Sequence, residues 1–370
     1  MTDRGVLQVC VVGGAGGVEH HVSALSKAMA AQRDVVVVAA EGGWLARAAR
    51  DAGLQTLTIP EPHGNFDIRT VRALRRAIAS NRERIVHSHL GRSDWYTWIA
   101  SAGMPDVRLV TTEHGISSDR PDLFVRGVRR RLHEYAHAAR LRRMNAVVAV
   151  SESTARALVE RYPDLGTCPP AVIAPGIEAS AYSAIERKPW SFGNPLRILV
   201  VSRLAPEKGV DVAIHAFAEL RSQGVDASLV IVGGGPEEST LRDWSRSLRC
   251  DADVHFVGQV DAVGPFLAKS DVFLMMSRSE NLPIALLEAM ASGLPAVAAS
   301  VGGIPEVVGD SGAAILIAPE DWGGAAAALS GMTRANPSIS AMGISARKAA
   351  AAYDMSVTVT AIGRVYEELG

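Results

Sequence analysis

Val6-Leu-Gln-Val-Cys-Val-Val12 runs into Gly13-Gly-Ala-Gly-Gly17 and then into Val18–Ala31, where apolar residues recur at helical spacing. The order is strand, glycine turn, helix. A strand apolar at every position but Gln8 needs cover on both faces, which is the condition of a parallel sheet flanked by helices. Working outward, short apolar runs at Asp34–Ala40, Thr56–Ile59, Ile85–His87, Val107–Thr111 and Ala146–Val150 alternate with Arg- and Ala-rich segments of helical period. The plan restarts at Leu196–Val201, with further strands expected at Ala227–Val232, Val254–Val257, Asp271–Met276, Ala296–Ala299 and Ala313–Ile317. Helices are expected at Val210–Ser222 and Pro236–Ser247. The sequence thus predicts two Rossmann-like doubly wound parallel-sheet domains facing each other across a cleft, with ligands at the carboxyl ends of the strands. Glu178–Pro195, which holds Pro189, Gly193 and Pro195, is the expected linker.

The chain has 370 residues, beyond the ~250–300 at which one hydrophobic core stops growing, so two domains are expected. Hydrophobic content of 48% with 21% charged residues excludes a disordered, collagen-like or coiled-coil chain. A net charge of −1 lacks the basic excess of a nucleic-acid-binding protein. It hides an asymmetry: residues 1–185 carry 23 Lys/Arg against 18 Asp/Glu, and the remainder 15 against 21. Cys10, Cys168 and Cys250 have no metal-ligand or redox spacing. No leader peptide is expected, because Asp3 and Arg4 lead into an apolar run that soon meets Gly13. The longest uncharged stretch, Ala289–Pro305, is broken by Gly293, Pro295, Gly302 and Gly303, so no membrane span is expected. The expected location is cytoplasmic.

Three segments carry candidate chemistry. The Gly13–Gly17 turn can bring backbone amides to an anion at a helix N-terminus, although it matches neither G-x-G-x-x-G nor a P-loop. Taken alone, a tight turn without ligand is the competing reading. Val201-Ser-Arg-Leu-Ala-Pro-Glu-Lys-Gly209 places Arg203 and Lys208 after a strand, where two cations suit a diphosphate; solvated loop charges are the alternative. In Ser279-Glu-Asn-Leu-Pro-Ile-Ala-Leu-Leu-Glu288, Glu280 precedes a helix expected from Pro283 to Ser292, and Glu288 projects from its second turn. Amides at 282–284 offer another phosphate site, and carboxylates accept hydrogen bonds from sugar hydroxyls.

Three features compete with these. Asp251-Ala-Asp253 has the form of a metal-binding D-x-D but precedes a strand and reads as an exposed turn. His87-Ser-His89 lacks a third ligand for zinc and reads as acceptor-loop residues. Arg126, Arg129, Arg130, Arg131, Arg140, Arg142 and Arg143 form either a solvated face or a patch for anionic lipid or phosphorylated acceptors.

Gly13–Glu19, Val201–Gly209, Ile231–Pro236, Phe256–Val260 and Glu280–Glu306 together resemble, in order and spacing, the signatures of the retaining GT-B glycosyltransferases of family 4. The resemblance implies an acceptor-binding domain at 1–185, onto which a last helix at about 355–370 packs back, and a nucleotide-sugar-binding domain at 186–354. It implies that Arg203 and Lys208 hold the diphosphate, that Glu288 meets the ribose and Glu280 the transferred sugar, and that Gly16 and Gly17 close over the phosphates. The donor site would include Leu282, Pro283 and Ile284, with the backbone near Val260 at the base. Thr112-Glu-His-Gly115 is similar to the loop whose His lies at the reacting sugar, which makes His114 the catalytic candidate of the first domain; a structural histidine is the alternative. Two departures stand out: Ala174-Pro-Gly-Ile-Glu178 lacks the usual Asn, and Leu282-Pro283 replaces Phe-Gly. The implied reaction moves a sugar, with retention, from a nucleotide-diphosphate donor such as a UDP-sugar to a hydroxyl. The acceptor would be a polysaccharide or lipid intermediate or a small natural product such as an aminocyclitol. No metal or cofactor is expected. A sugar-nucleotide 2-epimerase of the same fold is the competing enzyme, and peripheral membrane contact through Arg126–Arg143 is the expectation for a lipid-linked acceptor.

Overall fold

The computed structural model describes residues 5–14, 16–63, 66–80, 85–115, 128–163, 165, 169–187, 194–334 and 336–369, without side-chain positions for 128–134 and 334–338. The chain forms two compact units, 1–176 with 355–370, and 177–354. The first crossing therefore falls at Gly176/Ile177, ahead of the expected 185/186 boundary and just before the expected linker Glu178–Pro195.

In the first unit, β1 (Val6–Cys10), β2 (Val35–Ala40), β3 (Gln55–Ile59), β4 (Ile85–His89), β5 (Arg108–Glu113), β6 (Ala146–Ala149) and β7 (Ala171–Val172) make one sheet in the order β3-β2-β1-β4-β5-β6-β7. All its pairings are parallel. β1 and β2 are buried at every position because helices cover both faces, as the unbroken Val-rich runs require. The two-residue β7 carries too little pattern to be found in the sequence. Met355–Glu368 is a helix that buries Met355, Val359, Ile362 and Tyr366 with Val22, Leu25 and Met29 of the helix Gly17–Met29. Its spacing of i, i+4, i+7 and i+11 puts those residues on one apolar stripe. Thr358 ties it down by donating to the Ala174 carbonyl at 2.9 Å.

In the second unit, β8 (Leu196–Val201), β9 (Ala227–Val232), β10 (Val254–Gly258), β11 (Val272–Met275), β12 (Ala296–Ala299) and β13 (Ala314–Ile317) make a six-stranded sheet in the order β10-β9-β8-β11-β12-β13. This is the 3-2-1-4-5-6 order of dinucleotide-binding sheets. Strand order reverses between β1 and β4 in one unit and between β8 and β11 in the other, and each reversal opens a crevice at the strand carboxyl ends. Among the described residues, no helix is long and apolar enough to cross a membrane.

Candidate functional site

In the C-terminal unit the expected charges lie on both sides of that reversal. The loop after β8 turns through a short 3-10 segment, Pro206–Lys208, into Gly209 at φ +57°, which begins the helix Val210–Ser222. A Cβ at Gly209 would lie 1.9 Å from the Met276 carbonyl, so only glycine lets this loop rest on the end of β11. That approach delivers Lys208: its Nζ donates to Glu280 Oε1 at 2.6 Å, and Ser277 Oγ donates to the same oxygen at 3.0 Å. Arg203 is 58% exposed and bonded to Glu207, whose backbone carbonyl accepts from the amides of Arg278 and Ser279. Gly302, at φ +54°, presses the loop after β12 onto the Glu280 backbone; a Cβ there would lie 1.5 Å from the Glu280 carbonyl oxygen.

The helix starts at Ile284 with Pro283 as its cap, one residue later than expected, and Gly293 at φ +77° ends it. Glu288 is held by Tyr182, whose hydroxyl donates to Oε1 at 2.6 Å. Burial pushes the Glu288 carboxyl up to about 7, against the pull of that hydrogen bond. Nothing in the sequence points to Tyr182, which lies 106 positions away. Val260, Leu282 and Ile284 pack against the same apolar cluster.

In the N-terminal unit, the turn after β1 has two amides already bonded to carboxylates: Gly13 N donates to Glu61 at 3.1 Å and Gly16 N to Glu19 at 3.0 Å. Gly17 opens the helix. Both amides are thus already partnered within the unit, the second through the Glu19 arm of a capping box. His114 directly follows β5, with its Nε2 at 3.1 Å from Nδ1 of His89 at the end of β4. His21 lies 5.6 Å from His114 between ring centres, and His87 stacks on His89 at 4.3 Å. Burial, reinforced by the neighbouring imidazoles, holds His114 and His89 well below the usual histidine range and His87 near 3. Leu90, just after His89, has φ +74°, a conformation that costs a bulky residue energy and clusters at functional sites.

The Arg126–Arg143 region is not one surface patch. Arg140 is fully buried, within 3.0 Å of Asp94 and 2.7 Å of Glu113. The helix face that carries Arg140 packs inward, so its charge closes an internal ion network that also takes hydrogen bonds from Ser88 and Thr111 to Asp94. Arg142 and Arg143 are exposed, whereas Arg126 lies outside the described residues and the side chains of Arg129, Arg130 and Arg131 are not described. Cys168 is likewise outside. Asp251 and Asp253 form a turn before β10, with Asp253 paired to Arg221 at 3.0 Å. Among the described residues, no group of three or more His, Cys, Asp or Glu side chains is placed to hold a metal ion.

Residues 15–181 match the family described as Glycosyltransferase Family 4, and residues 183–349 the family described as Glycosyl transferases group 1. Glycogen synthase of Mycobacterium tuberculosis is 30% identical over 344 residues, which cover 85% of this chain and 81% of that protein. D-inositol 3-phosphate glycosyltransferase of Corynebacterium aurimucosum is 27% identical over 312 residues, 77% of this chain and 71% of its own. Among solved structures, Anabaena HepE in complex with UDP and glucose superposes with a TM-score of 0.83 at 19% identity, covering 98% of this chain and 99% of that one. Fold, motif order and these relatives agree, and the chain belongs to the family 4 glycosyltransferases of GT-B fold.

Proposed function

We propose that the protein is a retaining, metal-independent glycosyltransferase that moves a sugar from a nucleotide-diphosphate donor, a UDP-sugar, to a hydroxyl of a polysaccharide or lipid intermediate or a small natural product. The observation that carries this reading is the contact between Lys208 and Glu280 where strand order reverses. One group there suits phosphate oxygens and the other suits sugar hydroxyls, 2.6 Å apart. Arg203, at the exposed side of the same loop, adds a second cation. Glu288 takes the ribose, Gly16 and Gly17 close over the phosphates, and Leu282, Pro283, Ile284 and Val260 complete the donor site. His114 stands at the reacting sugar. The naming of UDP in the HepE complex supports the choice of base.

In this reading Lys208 exchanges Glu280 for the diphosphate when donor binds, which frees Glu280 for the sugar. Negative charge then grows on the leaving diphosphate, and the two cations stabilise it more than they stabilise bound donor. They do the work a divalent ion does elsewhere. The departing phosphate can also help to deprotonate the acceptor on the same face, so no protein nucleophile is required.

The test is a thermal-shift screen of nucleotide sugars, followed by acceptor assays with the best donor, in EDTA, and NMR of the product anomer. Retention without added metal is expected; inversion refutes the mechanism, and loss in EDTA restored by manganese refutes metal independence. Conversion of donor alone to a second sugar nucleotide would make the protein a 2-epimerase instead. If the acceptor is lipid-linked, exposed Arg142 and Arg143 meet anionic head groups, and the chain sediments with anionic vesicles at low salt but not at high salt. No sedimentation at low salt would point to a soluble acceptor.

A further inference from the structure

The histidines at the strand ends of the N-terminal sheet have proton positions that can be assigned from the far end of their hydrogen-bond chain. Gln8 Nε2 lies 3.6 Å from Met29 Sδ and 3.2 Å from Tyr366 Oη. A thioether sulfur only accepts, so the amide nitrogen must face it and the carbonyl must face away. That carbonyl is 2.8 Å from His89 Nε2. An amide oxygen also only accepts, so His89 Nε2 carries the proton and, in the neutral ring, Nδ1 is bare. His89 Nδ1 lies 3.1 Å from His114 Nε2, a contact that bonds only if His114 carries its proton on Nε2. His114 Nδ1 is then a bare lone pair, with no hydrogen-bond partner among the described residues.

The other branch agrees with this assignment. Tyr366 accepts from Gln8 and so donates to His87 Nδ1 at 2.5 Å, while His87 Nε2 donates to Thr112 Oγ1 at 2.7 Å. Gln8, His87, His89, Thr112 and Tyr366 are all buried, so the chain is shielded from water that would otherwise offer alternative partners. His21, 4% exposed and 5.6 Å from His114, also has an Nδ1 without a hydrogen-bond partner among the described residues. A neutral chain matches the surroundings, where burial disfavours every imidazolium.

We propose that Gln8 and His89 are positioning residues that lock His114 as the neutral Nε2–H tautomer, so that its Nδ1 accepts a hydrogen bond from a sugar hydroxyl and offers no proton to a phosphate or carboxylate oxygen. The lock reaches back to Tyr366 near the C-terminus, which makes the last helix a part of the site's chemistry as well as of its packing. The sugar contact rests on the placement of His114 under the proposed function, whereas the tautomer does not.

The tautomer is read directly from the 15N shifts of the histidine ring nitrogens in the full-length chain at pH 7. The His114 signals are identified by their loss in His114→Asn. The expected result is a protonated Nε2 and a bare Nδ1 on His114; a proton on Nδ1, or a cationic ring, overturns the proposal. Gln8→Leu removes the acceptor that fixes His89. It should give a mixture of His114 tautomers and lower kcat about tenfold or more with a smaller change in donor KM. Scrambled tautomers with unchanged kcat also overturn it. Full activity in His114→Asn would instead remove His114 from the reaction, leaving the ring shifts as a separate test of the lock.

Discussion

Gly302→Ala is the sharpest perturbation of the C-terminal site, because one methyl group addresses backbone, packing and chemistry together. The left-handed backbone at φ +54° costs an L-residue about 1–2 kcal/mol. The new Cβ would also lie 1.5 Å from the Glu280 carbonyl oxygen, an overlap with backbone that no rotamer change relieves. Overpacking of this kind adds about 1–3 kcal/mol. Together they give about 3 kcal/mol, or a fall of about 6–12 °C in the Tm of the C-terminal unit at about 2–4 °C per kcal/mol. Gly224→Ala isolates the first contribution, since Gly224 has φ +79° with nothing within 4 Å of an added Cβ, and it should cost only about 1–2 kcal/mol. Thermal melts of both variants separate the clash from the backbone conformation. Relief of the clash shifts Glu280 by a fraction of an ångström to an ångström, and a misplacement of about 1 Å can cost about 10²-fold in rate. Gly302→Ala should therefore lose activity while Gly224→Ala keeps it. Equal Tm values for the two variants, with full kcat in Gly302→Ala, would falsify the close approach on which the position of Glu280 depends.

Other consequences are as definite. Arg203→Ala and Lys208→Ala should each lower kcat by about 10²–10³ while remaining folded by circular dichroism; near wild-type kcat in both would dismiss the diphosphate site. Glu288 has a folded pKa of about 7 against an ordinary 4.5, so the folded state holds its proton more tightly than the unfolded one. The contribution of Glu288 to stability should therefore fall by roughly 3 kcal/mol as pH rises from about 4.5 to about 7, then level off. Glu113, also pushed up by burial, and the buried histidines, pushed down, titrate over the same range, so the quantity to read by urea denaturation is the stability of the wild type minus that of Glu288→Gln, which should fall across it; a flat difference would exclude Glu288. Arg140→Met leaves Asp94 and Glu113 buried without their cation and should cost about 3–5 kcal/mol, read from denaturant midpoints. A cost below about 1 kcal/mol would show that the two carboxylates are neutral or solvated.

The local pattern of residues was enough to place most elements and the charged loops. Runs such as Val35-Val-Val-Val38 admit only a strand covered on both faces, and Pro283 and Gly293 bracket their helix through φ preferences that act within one or two residues. Such signals are short-range, so the sequence carries them openly. What joined the site was decided by tertiary structure. Lys208 meets Glu280 only because β8 and β11 are neighbours in the sheet, and Tyr182 reaches Glu288 from a segment with no motif at all. Arg140 shows the same limit from the other side. A row of arginines on an Ala-rich helix reads as a surface, but burial depends on which face turns inward, and here Glu113 from β5 and Asp94 from the preceding helix receive it. The proton order of Gln8, His89 and His114 lies furthest from sequence. It depends on Met29 and Tyr366, side chains whose residue types carry no such information until packing brings a sulfur and a hydroxyl to one amide.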